Sequence, residues 1–225
     1  MCIRDSVKDE IAIGEATPNY LISPHAPLRL KAIIPDVRLI FSLRHPVDRL
    51  YSIYLMGVTR GSVSGNIYED LDPKGSLAEF HRYSPYFRLW RECFDLSQMK
   101  IIVFEEFKSN PIAVIQSMYR VLAVDDQFVP DTTRRYNVGG VPKNRLAAGM
   151  ARGLKGLRNL RYFRMVKPYL PDSVRSWNSR LRGATLRKPD PLPEDLAQEL
   201  NAYYKDDVLE LQNLLEINLS SWNIV

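Results

Sequence analysis

Arg44 and Ser52 stand eight residues apart at a predicted strand-to-helix junction, where together they could bind a phosphate group. The apolar run Leu39–Leu43 predicts a short parallel strand, buried on both faces, that ends at Arg44. Pro46 suits the first helical position, because its missing N–H group would have no partner there. A helix start offers unpaired N–H groups and partial positive charge, which favour an anion. The same pattern also fits an ordinary junction in which Arg44 pairs with a carboxylate.

The residues after Arg44 predict which side of the helix would face a ligand. At about 3.6 residues per turn, five apolar side chains share one helix face: Val47, Leu50, Tyr51, Tyr54 and Val58. Arg49 and Ser52 fall on the other side of the helix, where they are free to face a ligand or solvent. The pattern therefore predicts a helix that packs one face and leaves the Ser52 hydroxyl accessible.

This junction resembles the 3′-phosphate-binding motif of sulfotransferases that use 3′-phosphoadenosine 5′-phosphosulfate (PAPS). In that family a strand ends in Arg, Pro follows two residues later, and Ser follows eight residues after the Arg. The corresponding residues here are Arg44, Pro46 and Ser52. The resemblance implies that Arg44 and Ser52 hold the 3′-phosphate of the cofactor. Arg49 also fits the family pattern, without an assigned role.

A glutamate-containing turn precedes the junction. Residues 14–20, Gly-Glu-Ala-Thr-Pro-Asn-Tyr, resemble the corresponding turn of bacterial and heparan-type sulfotransferases. The resemblance implies that Glu15 is the catalytic base, and an ordinary glutamate is ionised at neutral pH. The next residue is often Lys in those enzymes and is Ala16 here, so any help from that Lys is lost. The structural alternative for Glu15 is a carboxylate in a cap or a salt bridge.

Later segments match the family in the expected order. Residues 101–111 resemble the next core strand and the helix after it, and residues 189–222 resemble the C-terminal helix pair. Residues 136–145 resemble the late basic loop that closes over the nucleotide. This last match implies that Lys143 and Arg145 bind the cofactor, whereas an exposed basic loop is the ordinary alternative.

One family signature has no counterpart in the chain. The loop that holds the 5′-phosphosulfate should precede the glutamate turn, but residues 1–10 contain no Gly-rich loop. We therefore expect a partial, N-terminally truncated domain in which residues 1–10 are not a complete native N-terminus. We also expect this chain by itself to be inactive.

Length and composition predict one globular domain spanning residues 1–225. Strands that alternate with helices predict an α/β fold with a parallel sheet. The resemblance implies a three-layer α/β/α fold, similar to P-loop nucleotide hydrolases, that lacks its first strand and phosphate loop. No run approaches the roughly 18 apolar residues of a membrane span. Two cysteines, Cys2 and Cys93, form neither a disulfide framework nor a metal cluster, which favours a cytoplasmic location.

Hydrophobic spacing and turn residues predict the remaining elements. The predicted strands are 11–13 and 100–104; the predicted helices are 25–34, 77–94 with a break near Pro85, 111–122 and one that begins at Pro193; the predicted irregular segments are 61–75 and 128–145; and short Arg-rich helices are predicted up to residue 182.

The net charge of +5 is concentrated in one region. Residues 143–188 carry thirteen Lys and Arg side chains against one acid, Asp172. A solvated helical surface is the ordinary explanation for such a run. The functional alternatives are an anionic substrate or a peripheral contact with acidic lipids, and we do not expect a nucleic-acid partner.

These observations predict a sulfotransferase that moves a sulfuryl group from PAPS, without a metal, to a hydroxyl or amine of a glycan or small metabolite. One alternative is another P-loop-type nucleotide enzyme such as a small-molecule kinase, which would need an intact phosphate loop and acidic Mg²⁺ ligands. The other is a degenerate domain without catalysis, whose basic face binds an anionic polymer or a membrane.

Overall fold

The computed structural model describes residues 9–132, 141–142 and 186–224. These residues form two compact units, the first from the described parts of 1–49, 79–135 and 198–225 and the second from those of 50–78 and 136–197. The elements are α1 (Ala26–Ile33), β1 (Leu39–Leu43), α2 (Pro46–Arg60), α3 (Ile67–Asp70), α4 (Ser76–Phe80), α5 (Ser84–Cys93), β2 (Met99–Val103), α6 (Phe104–Ser109), α7 (Pro111–Leu122), β3 (Val141–Pro142), β4 (Leu186–Arg187) and α8 (Glu194–Leu215). The single domain over residues 1–225 stays a prediction.

The parallel sheet of the first unit places two strand ends side by side. Strands β1 and β2 pair in parallel, with Leu39 opposite Met99 and Leu43 opposite Val103. Each strand leads directly toward a helix, α2 after β1 and α6 after β2. In open α/β sheets, ligands bind beyond the carboxyl ends of parallel strands. The residues that follow Leu43 and Val103 are therefore the first place to look for a site.

The core of the first unit lies between this sheet, α5 and α8. The stripe predicted on the last helix is buried at six of its seven positions: Leu196, Leu200, Tyr204, Val208, Leu211 and Leu215. From the sheet, Leu43 and Val103 join the cluster that contains Val208, Leu211 and Leu215. The sheet end that carries Arg44 is therefore anchored in the core.

A second cluster fixes the other end of β1. Leu39 packs with Trp90, Phe94 and Met99, and the Phe41 ring meets Trp90 edge-on at a centroid distance of 5.1 Å. Ser42 is exposed and Ile40 is half-buried. The prediction that β1 is buried on both faces is therefore wrong for Ser42.

Most predicted elements of the described part are present, and the differences have local causes. The 77–94 segment is two helices, α4 and α5, with Pro85 near the start of α5. The predicted loop 61–75 contains α3, because the Asn66 side chain caps it by accepting from the N–H of Tyr68 at 3.3 Å. Residues 11–13 form no strand, and Ile11 is 83% exposed.

Two further observations concern apolar surface. Val58, predicted on the packed face of α2, is 38% exposed, because it lies near the end of the helix. Among the residues that the structure describes, no helix combines the length and the apolar character needed to cross a membrane.

Candidate nucleotide-binding site

Arg44 lies at the carboxyl edge of the sheet, directly after β1. Its guanidinium group lies over the Phe104 ring, 5.4 Å from the ring centroid, and 3.6 Å from the carboxylate of Asp48. The Nε atom is buried and has no hydrogen-bond acceptor within the described ranges. The ion pair with Asp48 agrees with the carboxylate pairing that the sequence left open, but an exposed pair of this kind contributes little. Arg44 therefore keeps a donor available for a ligand.

The two other polar residues predicted on α2 have different surroundings. Ser52 is exposed on the helix, two turns beyond Arg44. Arg49 is half-buried, with its guanidinium carbon 4.6 Å above the centroid of the Tyr83 ring, and it donates to the carbonyl of His81 at 3.3 Å. The contacts of Arg49 are thus with protein groups, which gives this residue a structural role.

Glu105 holds the carboxyl ends of both strands together. Its carboxylate accepts from the backbone N–H of His45 at 3.2 Å and from Nε1 of Trp222 at 3.0 Å. Nε2 of His45 lies 3.0 Å from the carbonyl oxygen of Trp222. Burial lowers the pKa of His45, so the neutral ring donates from Nε2 to this carbonyl. His45 is therefore a hydrogen-bonded structural residue, and the sequence gave no reason to single out Glu105.

A buried carboxylate from the last helix also supports this edge. Asp207 is 1% exposed and accepts from the backbone N–H groups of Tyr83 at 2.8 Å and Ser84 at 2.9 Å. These bonds satisfy donors at the start of α5, as an N-cap does. Asp207 was not predicted, although an acidic residue between Tyr204 and Leu211 on an apolar helix stripe was a visible signal.

His81, which precedes α5, should make folding sensitive to acid. Burial, assisted by nearby Arg49, lowers its pKa from 6.5 to about 4. The unfolded chain binds this proton more readily, so the stabilisation is complete above pH 6.5 and is lost as the pH falls toward 4. We expect roughly 2–3 kcal/mol of the free energy of unfolding to disappear over this range.

Urea unfolding of the wild type and of His81→Asn, at several pH values in this window, measures that loss. The variant should show a flatter dependence of the unfolding free energy on pH. The matched control is His25→Gln, because His25 is exposed. Equal slopes in the wild type and His81→Asn would show that His81 does not carry the effect.

Glu15 lies in an exposed turn just before a short 3-10 helix, Pro18–Tyr20. One of its carboxylate oxygens accepts from the Thr17 hydroxyl and from the Tyr20 hydroxyl, both at 2.9 Å. These bonds orient the carboxylate while it remains exposed to solvent. The arrangement is compatible with a base that meets an incoming substrate and also with the capping role.

Lys143, Arg145 and most of the basic region 143–188 lie outside the described residues. The strand pair next to them belongs to the second unit, where Val141 pairs antiparallel with Arg187. Arg187 forms an ion pair with Asp190 at 2.9 Å, and the Tyr51 hydroxyl donates to the backbone carbonyl of Asp190. The backbone just before Lys143 is therefore connected, through this segment, to helix α2.

The chain was compared with known protein families. A family model described as "Sulfotransferase family" matches residues 15–127, about half of the chain. The chain belongs to the sulfotransferase family. The matched range includes Glu15, Arg44, Ser52 and Glu105, whereas Lys143 and Arg145 lie beyond it.

Curated relatives of this sulfotransferase carry heparan sulfate enzymes in their names. Bifunctional heparan sulfate N-deacetylase/N-sulfotransferase 2 of Homo sapiens is 24% identical over 204 residues, covering 83% of this chain and 23% of the human protein. Heparan sulfate glucosamine 3-O-sulfotransferase 6 of Mus musculus is 25% identical over 200 residues, covering 85% of this chain and 51% of the mouse protein. The chain thus spans about a quarter to a half of the length of these two relatives.

A solved structure supports the fold. The sulfotransferase from Alicyclobacillus acidocaldarius superimposes with a TM-score of 0.66 at 24% sequence identity, covering 97% of this chain and 70% of the bacterial one. The likeness confirms the α/β sulfotransferase fold that the sequence predicted. Family membership also decides against the small-molecule kinase.

The family in general uses PAPS as its sulfuryl donor. The described residues fit part of that molecule, because Arg44 presents a buried Nε donor without an acceptor at the carboxyl edge of the sheet. A phosphate oxygen is the acceptor that such a donor prefers. Among the described residues there is no group of three or more His, Cys, Asp or Glu side chains that could hold a metal ion.

Proposed function

We propose that this protein transfers a sulfuryl group from PAPS to a hydroxyl or amine of a glycan. The single observation that supports this proposal best is Arg44, which lies within the family match and keeps a buried, unpaired donor at the sheet edge. The names of the relatives, which are heparan sulfate sulfotransferases of the N- and 3-O- types, support a carbohydrate acceptor.

In this proposal Arg44 and Ser52 bind the 3′-phosphate of the cofactor. Arg44 contributes charge and an N–H donor from the end of β1, and Ser52 contributes a hydroxyl from the exposed side of α2. Lys143 and Arg145 add positive charge from the loop that follows β3. Four donors from two segments would then recognise a group that most adenine nucleotides lack, which favours PAPS over ATP.

Glu15 acts as the base in the same proposal. PAPS supplies the sulfuryl group, and the acceptor oxygen or nitrogen must lose a proton as it attacks. The Glu15 carboxylate takes this proton while Thr17 and Tyr20 hold it in place through their hydroxyl groups. Positive charge from Lys143 and Arg145 stabilises the departing phosphate.

The 3′-phosphate assignment predicts a selective loss of affinity in Arg44→Ala. We expect the Kd for adenosine 3′,5′-bisphosphate to rise by about 10- to 100-fold, because an arginine–phosphate contact is charge-assisted. The Kd for adenosine 5′-phosphate, which lacks the 3′-phosphate, should stay within about twofold, since the removed contact is not made with it. Isothermal titration calorimetry measures both values.

Arg60→Ala is the matched control, because Arg60 is an exposed arginine at the far end of the same helix. It should leave both dissociation constants unchanged. An unaltered bisphosphate Kd in Arg44→Ala, or an equal loss for both nucleotides, would remove Arg44 from the 3′-phosphate site.

A further inference from the structure

The hydroxyl group of Tyr83 binds both backbone polar groups of Arg44. It accepts from the Arg44 N–H at 3.2 Å and donates to the Arg44 carbonyl at 3.0 Å. The ladder between β1 and β2 ends at the pair Leu43 and Val103, so the backbone of Arg44 needs partners other than the neighbouring strand. One side chain, distant in sequence, therefore sets the position of the residue that follows the strand.

Tyr83 is itself held firmly. It is 1% exposed, its backbone N–H donates to Asp207, and its ring stacks on Trp222 at a centroid distance of 6.4 Å. Burial raises the pKa of Tyr83, so the phenol keeps the proton that it donates to Arg44. The guanidinium of Arg49 covers the ring from 4.6 Å. A buried hydroxyl with these supports has little freedom to leave its position.

We propose that Tyr83 is a positioning residue for the 3′-phosphate site, fixing the backbone of Arg44 so that the guanidinium meets the phosphate, with Asp207 fixing Tyr83 in turn. This inference rests on the proposed role of Arg44. Tyr83 does not touch the nucleotide; it acts through the main chain of the residue that does. The hydroxyl, rather than the aromatic ring, carries the effect.

Tyr83→Phe tests the hydroxyl alone, because the ring and its packing remain. We expect the Kd for adenosine 3′,5′-bisphosphate to rise about five- to tenfold, the effect of losing a hydrogen bond that orients a ligand-binding group. The Kd for adenosine 5′-phosphate should stay within about twofold. The ratio of the two constants is the decisive readout, because general damage to the fold would weaken both nucleotides together.

Tyr86→Phe is the matched control. Tyr86 lies on the same helix, and its hydroxyl also donates to a backbone carbonyl, that of Phe80, at 3.1 Å. The ratio should be unchanged in this variant. If Tyr83→Phe does not yield folded protein, Asp207→Asn gives a second route, because it keeps the size of the side chain and one acceptor oxygen. It should lower the same ratio.

The outcomes separate the two proposals. If Arg44→Ala weakens bisphosphate binding and Tyr83→Phe leaves the ratio unchanged, the positioning role of Tyr83 is wrong and the proposed function stands. An equal loss for both nucleotides in Tyr83→Phe would also overturn positioning, since it indicates a structural role only. If Arg44→Ala has no selective effect, the proposed site fails, and the role of Tyr83 fails with it.

Discussion

We expect Glu15→Gln to lower the turnover number for sulfuryl transfer by roughly 10²- to 10⁴-fold, the contribution of a positioned general base. Glutamine has nearly the same shape as glutamate and can still accept from Thr17 and Tyr20, but it cannot take the proton of the acceptor. The affinity for adenosine 3′,5′-bisphosphate should stay unchanged, because the carboxylate is proposed to act on the acceptor. Transfer from labelled PAPS to desulfated heparan sulfate measures the turnover on the full natural chain.

Glu92→Gln is the control for this experiment, because Glu92 is an exposed glutamate on α5. It should transfer at the wild-type rate. A Glu15→Gln variant that also keeps the wild-type rate would assign this carboxylate to the capping role, and another residue would have to take the proton.

The second large effect concerns stability. We expect Asp207→Ala to lower the free energy of unfolding by about 3 kcal/mol or more, because two buried N–H groups at the start of α5 lose their acceptor. The guanidinium of Arg82, whose Nε lies 3.6 Å from the Asp207 carboxylate, would also lose its buried partner. Chemical denaturation followed by circular dichroism measures the change.

The neighbouring residue provides the control for the stability experiment. Asp206 is exposed on the same helix, and Asp206→Ala should change the free energy of unfolding by less than about 0.5 kcal/mol. If Asp207→Ala were as mild as Asp206→Ala, water would have to replace the carboxylate at the start of α5. The buried cap would then contribute little to the fold.

Local signals predicted the junction around Arg44 well. The apolar run ended where β1 ends, and Pro46 marked the first residue of α2. Both signals depend on residues that are adjacent in sequence, and the resemblance to sulfotransferases added the meaning of Arg44 and Ser52. The family match and the bacterial structure confirm the family and the fold. The roles of individual site residues stay predictions.

The contacts that hold Arg44 in place could not be predicted in the same way. Asp207 lies 124 residues from Tyr83, and Glu105 lies 117 residues from Trp222. Such pairs meet only after the sheet and α8 have packed, so hydrophobic spacing does not report them. Burial of Asp207 within an apolar stripe was the one local sign that a polar partner must exist.

The wrong predictions show where tertiary context decides. Residues 11–13 have a suitable apolar pattern, but their pattern alone does not provide a neighbouring strand, and Ile13 is 60% exposed. In the predicted loop 61–75, a single side-chain cap from Asn66 is enough to begin the short helix α3. Short segments are therefore decided by one contact each.

The central claim is that the edge around Arg44 recognises a 3′-phosphate. The most direct measurement is calorimetric titration of the wild-type protein with adenosine 3′,5′-bisphosphate and with adenosine 5′-phosphate. The account predicts that the bisphosphate binds at least about tenfold more tightly, because only it carries the group that Arg44 and Ser52 hold. Equal affinity for the two nucleotides, or binding of neither, would contradict it.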